Sequence, residues 1–266
     1  MRSTWQQRTR NAANAFMLLL MMMAAATVAR AQPADPYEHW ESVLTRFVNE
    51  RGEVDFPALA RGRADLDAFL ADIARASPRS HPDLFASREL QLAYYINAYN
   101  ALAMFNVIDT GIPMRLSGPF KVKFFGFRKF TVGGERLTLY ALENDVIRPL
   151  GDARVHFALN CMAVGCPRLP RKAFRAETLD AQLDAEARHF FGEQRNLYVD
   201  LERQTVNVSE LLKFYAEDFL ARAPTLNAYI NLYAQARVPD HYGVVFIDYD
   251  WTVNSEQRSR GAESGR

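Results

Sequence analysis

One stretch concentrates the side chains that could do chemistry. Val155-His156-Phe157-Ala158-Leu159-Asn160-Cys161-Met162-Ala163-Val164-Gly165-Cys166-Pro167 holds an imidazole, an amide and both cysteines of the chain. Three readings fit these residue types. Cys161 as a nucleophile needs a base to take its proton, and His156 is the nearest in sequence. Two nearby cysteines can instead close a structural Cys161–Cys166 disulfide that pins a loop, leaving His156 merely hydrogen-bonded. Or His156, both sulfurs and a carboxylate bind a metal, although this spacing matches no zinc pattern. Arg154 to Leu159 reads as a short strand, on which residues five apart face opposite sides, so His156 and Cys161 meet only if the chain turns between them.

Three further positions could join such a site. Asn97 and Asn100 are three apart in a helical pattern and share part of a face. A buried amide needs partners, so each either ties its helix to a loop backbone or orients a histidine and lines a polar pocket. Glu143 sits among Leu139, Leu142 and Val146. It either pairs with Arg148 or Arg154, or reaches a cleft as acid, base or ligand. Asp248 and Asp250 share a strand face with no third ligand near and read as strand-end and salt-bridge groups.

The elements that must position these residues follow from periodicity. Trp40, Val43, Leu44 and Phe47 mark a helix over 37–48, and Leu66, Phe69, Leu70 and Ile73 mark another, ended by Ser77-Pro78. Residues 88–109 carry no charge between Glu89 and Asp109 and no Gly or Pro, and predict a long, buried central helix. Gln91, Asn97, Asn100 and Asn106 set it apart from a membrane span. Residues 121–139 change to alternation around the turn signal Gly133-Gly134. Helices are expected over 139–147, 178–191 and 210–220, the last capped by Ser209, and a hairpin over 197–208. Strands at 120–133, 154–160, 197–208 and 244–251 would form one small, mainly antiparallel sheet. Helices and strands segregate, so the fold class is α+β.

The N-terminus reads as an export signal. Arg2, Arg8 and Arg10 precede an apolar run from Phe16 to Val28, and Ala29-Arg30-Ala31 offers a cleavage site before Gln32. The run is shorter than the ~20 residues of a membrane span. The expectation is a periplasmic or secreted protein, with no stable membrane insertion after cleavage. Residues 32–254 form a single domain, and 255–266 are a disordered tail. The 266-residue chain has a formal charge of +1, and loss of four leader arginines takes it to −3. With no basic stripe, nucleic acid is not an expected partner.

Four blocks carry a resemblance to a known family: Gln91-Leu92-Ala93-Tyr94-Tyr95-Ile96-Asn97-Ala98-Tyr99-Asn100-Ala101-Leu102; Leu137-Thr138-Leu139 through Glu143 to Ile147-Arg148; His156-Phe157-Ala158-Leu159-Asn160-Cys161 to Cys166-Pro167-Arg168-Leu169; and Asp248-Tyr249-Asp250-Trp251. Over about residues 50–254 they resemble the bacterial, exported branch of the family called domain of unknown function 547. The resemblance implies no established reaction. The family usually has Trp or Phe at Tyr95 and Ser at Gly165, so no hydroxyl at position 165 is essential here. Plant relatives keep the first cysteine and replace the second with serine, which implies a role for Cys161 beyond pairing.

The functional expectation is a cysteine-dependent hydrolase or transferase. Cys161 attacks, His156 accepts the proton, and Asn97 or Asn100 orients the histidine or holds the oxyanion beside Glu143. The alternatives are a non-catalytic envelope-binding module with a structural disulfide, and a metal-binding protein. The partner is a small-molecule or peptide ligand, and no cofactor is assigned.

Overall fold

The computed structural model describes residues 35–258. The expected export signal and cleavage site lie outside them, as does the tail from residue 259. The unit that begins at Tyr37 is α+β, with ten α-helical segments and five strands among the described residues.

Helix α1 (Glu38–Phe47) buries Trp40, Val43, Leu44 and Phe47, the stripe at i, i+3, i+4 and i+7 that its sequence predicts. Asp55 caps α2 (Phe56–Arg61), accepting from the Ala58 N–H. Helix α3 (Ala64–Arg75) packs on α1, where Phe69 stacks on Trp40 with centroids 5.7 Å apart. Ser87 Oγ accepts from Leu90 N–H and starts α4 (Arg88–Asp109), in which fifteen of twenty-two residues are buried. Its amides and tyrosine hydroxyls must therefore find protein partners.

The next elements depart from the expected single sheet. Residues 120–127 are helical. Pro119, at the second position, lies in the first turn of α5 (Gly118–Val122), which runs into a π turn over Lys123–Phe127. The phenylalanines at 120 and 124 follow helical spacing, which the apparent alternation of Val122 and Phe124 obscures. Strands β1 (Lys129–Val132) and β2 (Glu135–Thr138) form the expected hairpin. Its two-residue turn is Gly133-Gly134, with φ of 56° and 83°, the positive values such a turn demands. Thr138 Oγ1 then caps α6 (Leu139–Ala141), which continues as a π turn over Leu142–Ile147.

The expected strand at 154–160 is also absent. Ala153–Phe157 is a 3₁₀ turn. Asp152 captures the Arg154 N–H at 3.0 Å and so caps a helical turn where the apolar run suggested extension. Helix α7 (Leu179–Gly192) follows. Strands β3 (Leu197–Asp200) and β4 (Thr205–Ser209) pair antiparallel. The predicted helix over 210–220 divides into α8 (Leu211–Phe214) and α9 (Ala216–Leu220), with Ser209 Oγ accepting from Leu211 N–H at 3.3 Å. After α10 (Leu226–Ile230), β5 (Gly243–Ile247) joins β4 in parallel. There are thus two separate sheets, of two and three strands, and one pairing is parallel. Ser255, assigned to the tail on sequence, is buried and bridges Val54, and 256–258 form a helical turn.

Two apolar cores meet at the reactive segment. Val155, Ala158, Leu159 and Met162 belong to the core around α1, α3 and α4. Ala153, Phe157, Cys161, Ala163 and Cys166 belong to the core around α7, β4, Phe219 and Tyr229. No helix among the described residues is long and apolar enough to cross a membrane.

Candidate functional site

The cysteine loop is held by amides. Asn100 Nδ2 donates to the Ala158 carbonyl at 3.0 Å, and its Oδ1 accepts from Asn160 N–H at 2.7 Å. Asn160 in turn donates to the Pro167 carbonyl and accepts from Met162 N–H, both at 2.7 Å. Met162 needs that support, because its φ of 69° is left-handed and disfavoured for a side chain of its kind. Asn97 accepts from Trp40 Nε1 at 3.2 Å and Phe174 N–H at 3.0 Å, and donates to the Phe174 carbonyl at 2.8 Å. Both asparagines therefore tie α4 to neighbouring segments, and neither bonds His156.

The two sulfurs lie 2.9 Å apart at the end of this loop, and both cysteines are free. A covalent S–S bond would be about 2.05 Å. Cys166 Sγ accepts from the Cys161 N–H at 3.1 Å and from the Tyr249 hydroxyl at 3.0 Å, while that hydroxyl lies 3.6 Å from Cys161 Sγ. The contact with Cys166, reinforced by burial, pushes the Cys161 thiol well up. Burial opposes ionisation of Cys166 as well, but the donors converging on its sulfur bring it down on balance. Cys161 is thus the harder of the two thiols to ionise, and its chemistry requires a base.

His156 is buried on the 3₁₀ turn, where its Nε2 lies 2.7 Å from Asp218 Oδ2. Arg148 grips the same carboxylate with a fork, Nε to Oδ2 at 2.7 Å and Nη2 to Oδ1 at 2.9 Å. The hydrogen bond from His156, and after it Arg148, holds the Asp218 carboxyl well below the usual range despite its partial burial. Tyr215 stacks on the His156 ring at 3.7 Å, with the Arg148 guanidinium 5.6 Å from the tyrosine centroid. With Nε2 donating to Asp218, Nδ1 keeps a basic lone pair. That atom is buried without a protein partner.

Glu143 pairs with neither Arg148 nor Arg154. It projects from the π turn and accepts from the hydroxyls of Tyr99, at 3.0 Å, and Tyr215. Arg154 binds Asp152, Asp180 and Asp184 instead. Burial, and then the Glu143 charge, drive the Tyr99 and Tyr215 hydroxyls well above their ordinary value, so both remain donors.

Glu143, His156 and Cys161 line one small cavity of about 30 Å³, together with Cys166, Tyr215 and Tyr249. That is room for about one water. Above it opens a pocket of about 430 Å³. Cys161, Glu143 and Tyr215 line both spaces, and Phe125, Phe214, Trp251 and Lys121 line the larger one. A larger cleft, about 690 Å³ and bordered by Glu41, Arg171 and Gln182, touches none of these groups. Asn97 and Asn100 line neither the cavity nor the pocket. Among the described residues no three His, Cys, Asp or Glu side chains are placed to hold a metal ion, so the metal reading finds no ligand set.

Residues 84–191 match the model of the family described as "Protein of unknown function, DUF547". That match supports a DUF547 family domain over this stretch. The matched stretch is narrower than the 50–254 over which the resemblance was traced, yet it contains Asn97, Asn100, Glu143, His156 and both cysteines. Asp218, Tyr215 and Tyr249 come from beyond it, so the site is completed by the chain that follows the matched stretch. No curated protein and no solved structure matches this chain.

Sequence reasoning missed Asp218, Tyr215, Tyr249 and Lys121. The one signal available was spacing: Tyr215 and Asp218 are three apart in a helical segment, so they share a side. Nothing local directs that side toward His156.

Proposed function

We propose that this DUF547 protein is a cysteine-dependent hydrolase or transferase of small acyl compounds or peptides, exported and active outside the cytoplasm. The observation that carries the reading is the state of His156. Asp218 occupies Nε2, Arg148 fixes Asp218, Nδ1 is left buried and unpartnered, and His156 lines the same small cavity as Cys161. A base oriented by a third group beside a nucleophile is the arrangement that activates a thiol, and one intervening water is within the reach of general-base catalysis.

The step runs as follows. The Cys161 proton passes to His156 Nδ1 through a water in the 30 Å³ cavity. The sulfur attacks a carbonyl seated in the pocket above. The imidazolium, stabilised by Asp218, returns the proton to the leaving oxygen, nitrogen or sulfur, and a thioester remains on Cys161. Water or a second nucleophile then attacks that thioester, His156 again taking the proton, and frees the thiol. The role first given to Asn97 or Asn100, orienting the histidine, falls to Asp218. Tyr215 and Glu143 supply polar groups to the pocket.

Incubating the reduced protein with para-nitrophenyl acetate tests this. Mass spectrometry should find an acetyl group on Cys161, absent in Cys161→Ser and formed at least about tenfold more slowly in His156→Gln, within the usual contribution of a general base. Acylation unaffected by Cys161→Ser would overturn the reading.

A second reading is favoured by the 2.9 Å approach of the sulfurs. Oxidation would close them into a disulfide and leave a binding module with the same pocket. Titration of free thiols in protein recovered from its native compartment separates the two.

A further inference from the structure

Lys121 is the unusual cation of the pocket. It sits on α5 with its ammonium 3.2 Å from the Trp251 ring centroid. It makes no ion pair among the described residues. Glu210, whose field reaches it, is bonded to Lys213 at 3.1 Å instead. Burial lowers its pKa, as expected for a cation that has lost water and gained no carboxylate. A ring face offsets part of that loss.

The other charges of the pocket are accounted for. Arg148 is neutralised by the Asp218 fork, and Glu143 is a carboxylate held by two hydroxyls. One uncompensated positive charge and one negative charge therefore line the pocket, together with Phe125, Phe214 and Trp251. A ligand bearing a single negative charge satisfies Lys121. A phosphate dianion would set its second charge against Glu143 with no second free cation to balance it.

We infer that the pocket over Cys161 selects compounds that carry one carboxylate on an apolar or aromatic body, with Lys121 receiving the carboxylate and the aromatic walls covering the body. This deepens the thiol reading above and rests on it for the placing of the reactive carbonyl over Cys161. It makes Lys121 a specificity residue, outside the proton path.

Alkylation of Cys161 tests it directly, because iodoacetate and iodoacetamide differ in one charge. Both rates are read by peptide mapping on reduced protein at constant pH and ionic strength. Their ratio removes any effect of thiol acidity. The iodoacetate-to-iodoacetamide ratio should be on the order of fivefold higher in wild type than in Lys121→Met, and Lys121→Arg should keep it. Benzoate should protect Cys161 from both reagents, and inorganic phosphate should not. Equal ratios in wild type and Lys121→Met, or protection by phosphate as good as by benzoate, would overturn the inference. If Cys161 resists both reagents in the native state but reacts in urea, the thiol reading fails on its own. The anion site is then judged by quenching of Trp251 fluorescence. Iodide should quench wild type more than Lys121→Met relative to neutral acrylamide, and an unchanged relative quenching overturns it.

Discussion

Replacing Asn100 with leucine keeps a branched side chain of similar size and deletes only hydrogen bonds. The structure says which ones. The Ala158 carbonyl loses its donor at 3.0 Å and the Asn160 N–H loses its acceptor at 2.7 Å. Both residues are about 1% exposed, so water does not replace the lost partner. Each stranded group costs about 1–3 kcal/mol, and the mutant recovers part of that by no longer burying an amide. The expected loss is about 3 kcal/mol. For a domain of this size that lowers Tm by about 6–12 °C. Circular dichroism melts and urea titrations of the reduced protein measure it, with an unchanged m-value showing that the same surface is still buried. The variant should also loosen the Asn160–Cys166 loop and speed alkylation of Cys161. Asn97→Leu is the control: it strands Trp40 Nε1 and both backbone groups of Phe174, so it should lose at least as much stability without changing Cys161 reactivity. A Tm for Asn100→Leu within about 2 °C of wild type would refute the argument that this amide is the clamp of the loop.

Asp218→Asn should destabilise the protein near neutral pH. Because the folded carboxyl is held below its usual value, its contribution is complete above the unfolded pKa near ~3.9 and is lost as pH falls further, so the Tm gap to wild type should narrow only in strong acid. Cys161 should alkylate along a pH profile displaced above the ~8.5 of a free thiol, and Cys166→Ala should move that profile down by removing the largest cause of the shift. Gly165→Ser should cost about 1–3 kcal/mol in a urea titration, because a Cβ there would lie 2.9 Å from the Tyr249 ring and from Asp250 N. Mass spectrometry of the exported protein should find Gln32 at the N-terminus.

Where an element's own periodicity decides its structure, the sequence was a good guide. Trp40, Val43, Leu44 and Phe47 bury the predicted stripe, Gly133-Gly134 makes the predicted turn, and residues 88–109 form the predicted helix with the Asn97 and Asn100 amides bonded. It misled over two short apolar runs. Residues 155–159 are buried throughout because two cores flank them, and burial on every side erases the difference between a strand and a tight helical turn; in 120–127, where Val122 and Phe127 are exposed, an apparent alternation hid the helical pair Phe120 and Phe124. The deciding groups, Asp152 and Pro119, each act on a single turn and carry little weight in a window of eight residues.

The site was legible in part, for a related reason. Cys161, His156 and Glu143 stand out by residue type and do share a cavity. The argument that separated His156 from Cys161 assumed a strand, on which residues five apart diverge. On the 3₁₀ turn that replaces it the alternation no longer applies, and both residues line one cavity. The group that orients the imidazole lies sixty-two residues further on, in α9. Its position depends on where β4 ends and where α8 breaks at Tyr215. Those are properties of the packed three-stranded sheet, not of any local pattern. On sequence the orienting role went to an asparagine of α4, where Asn97 and Asn100 share part of a face. That face is spent instead on holding the loop, so a histidine partner had to come from an element whose register only the fold defines.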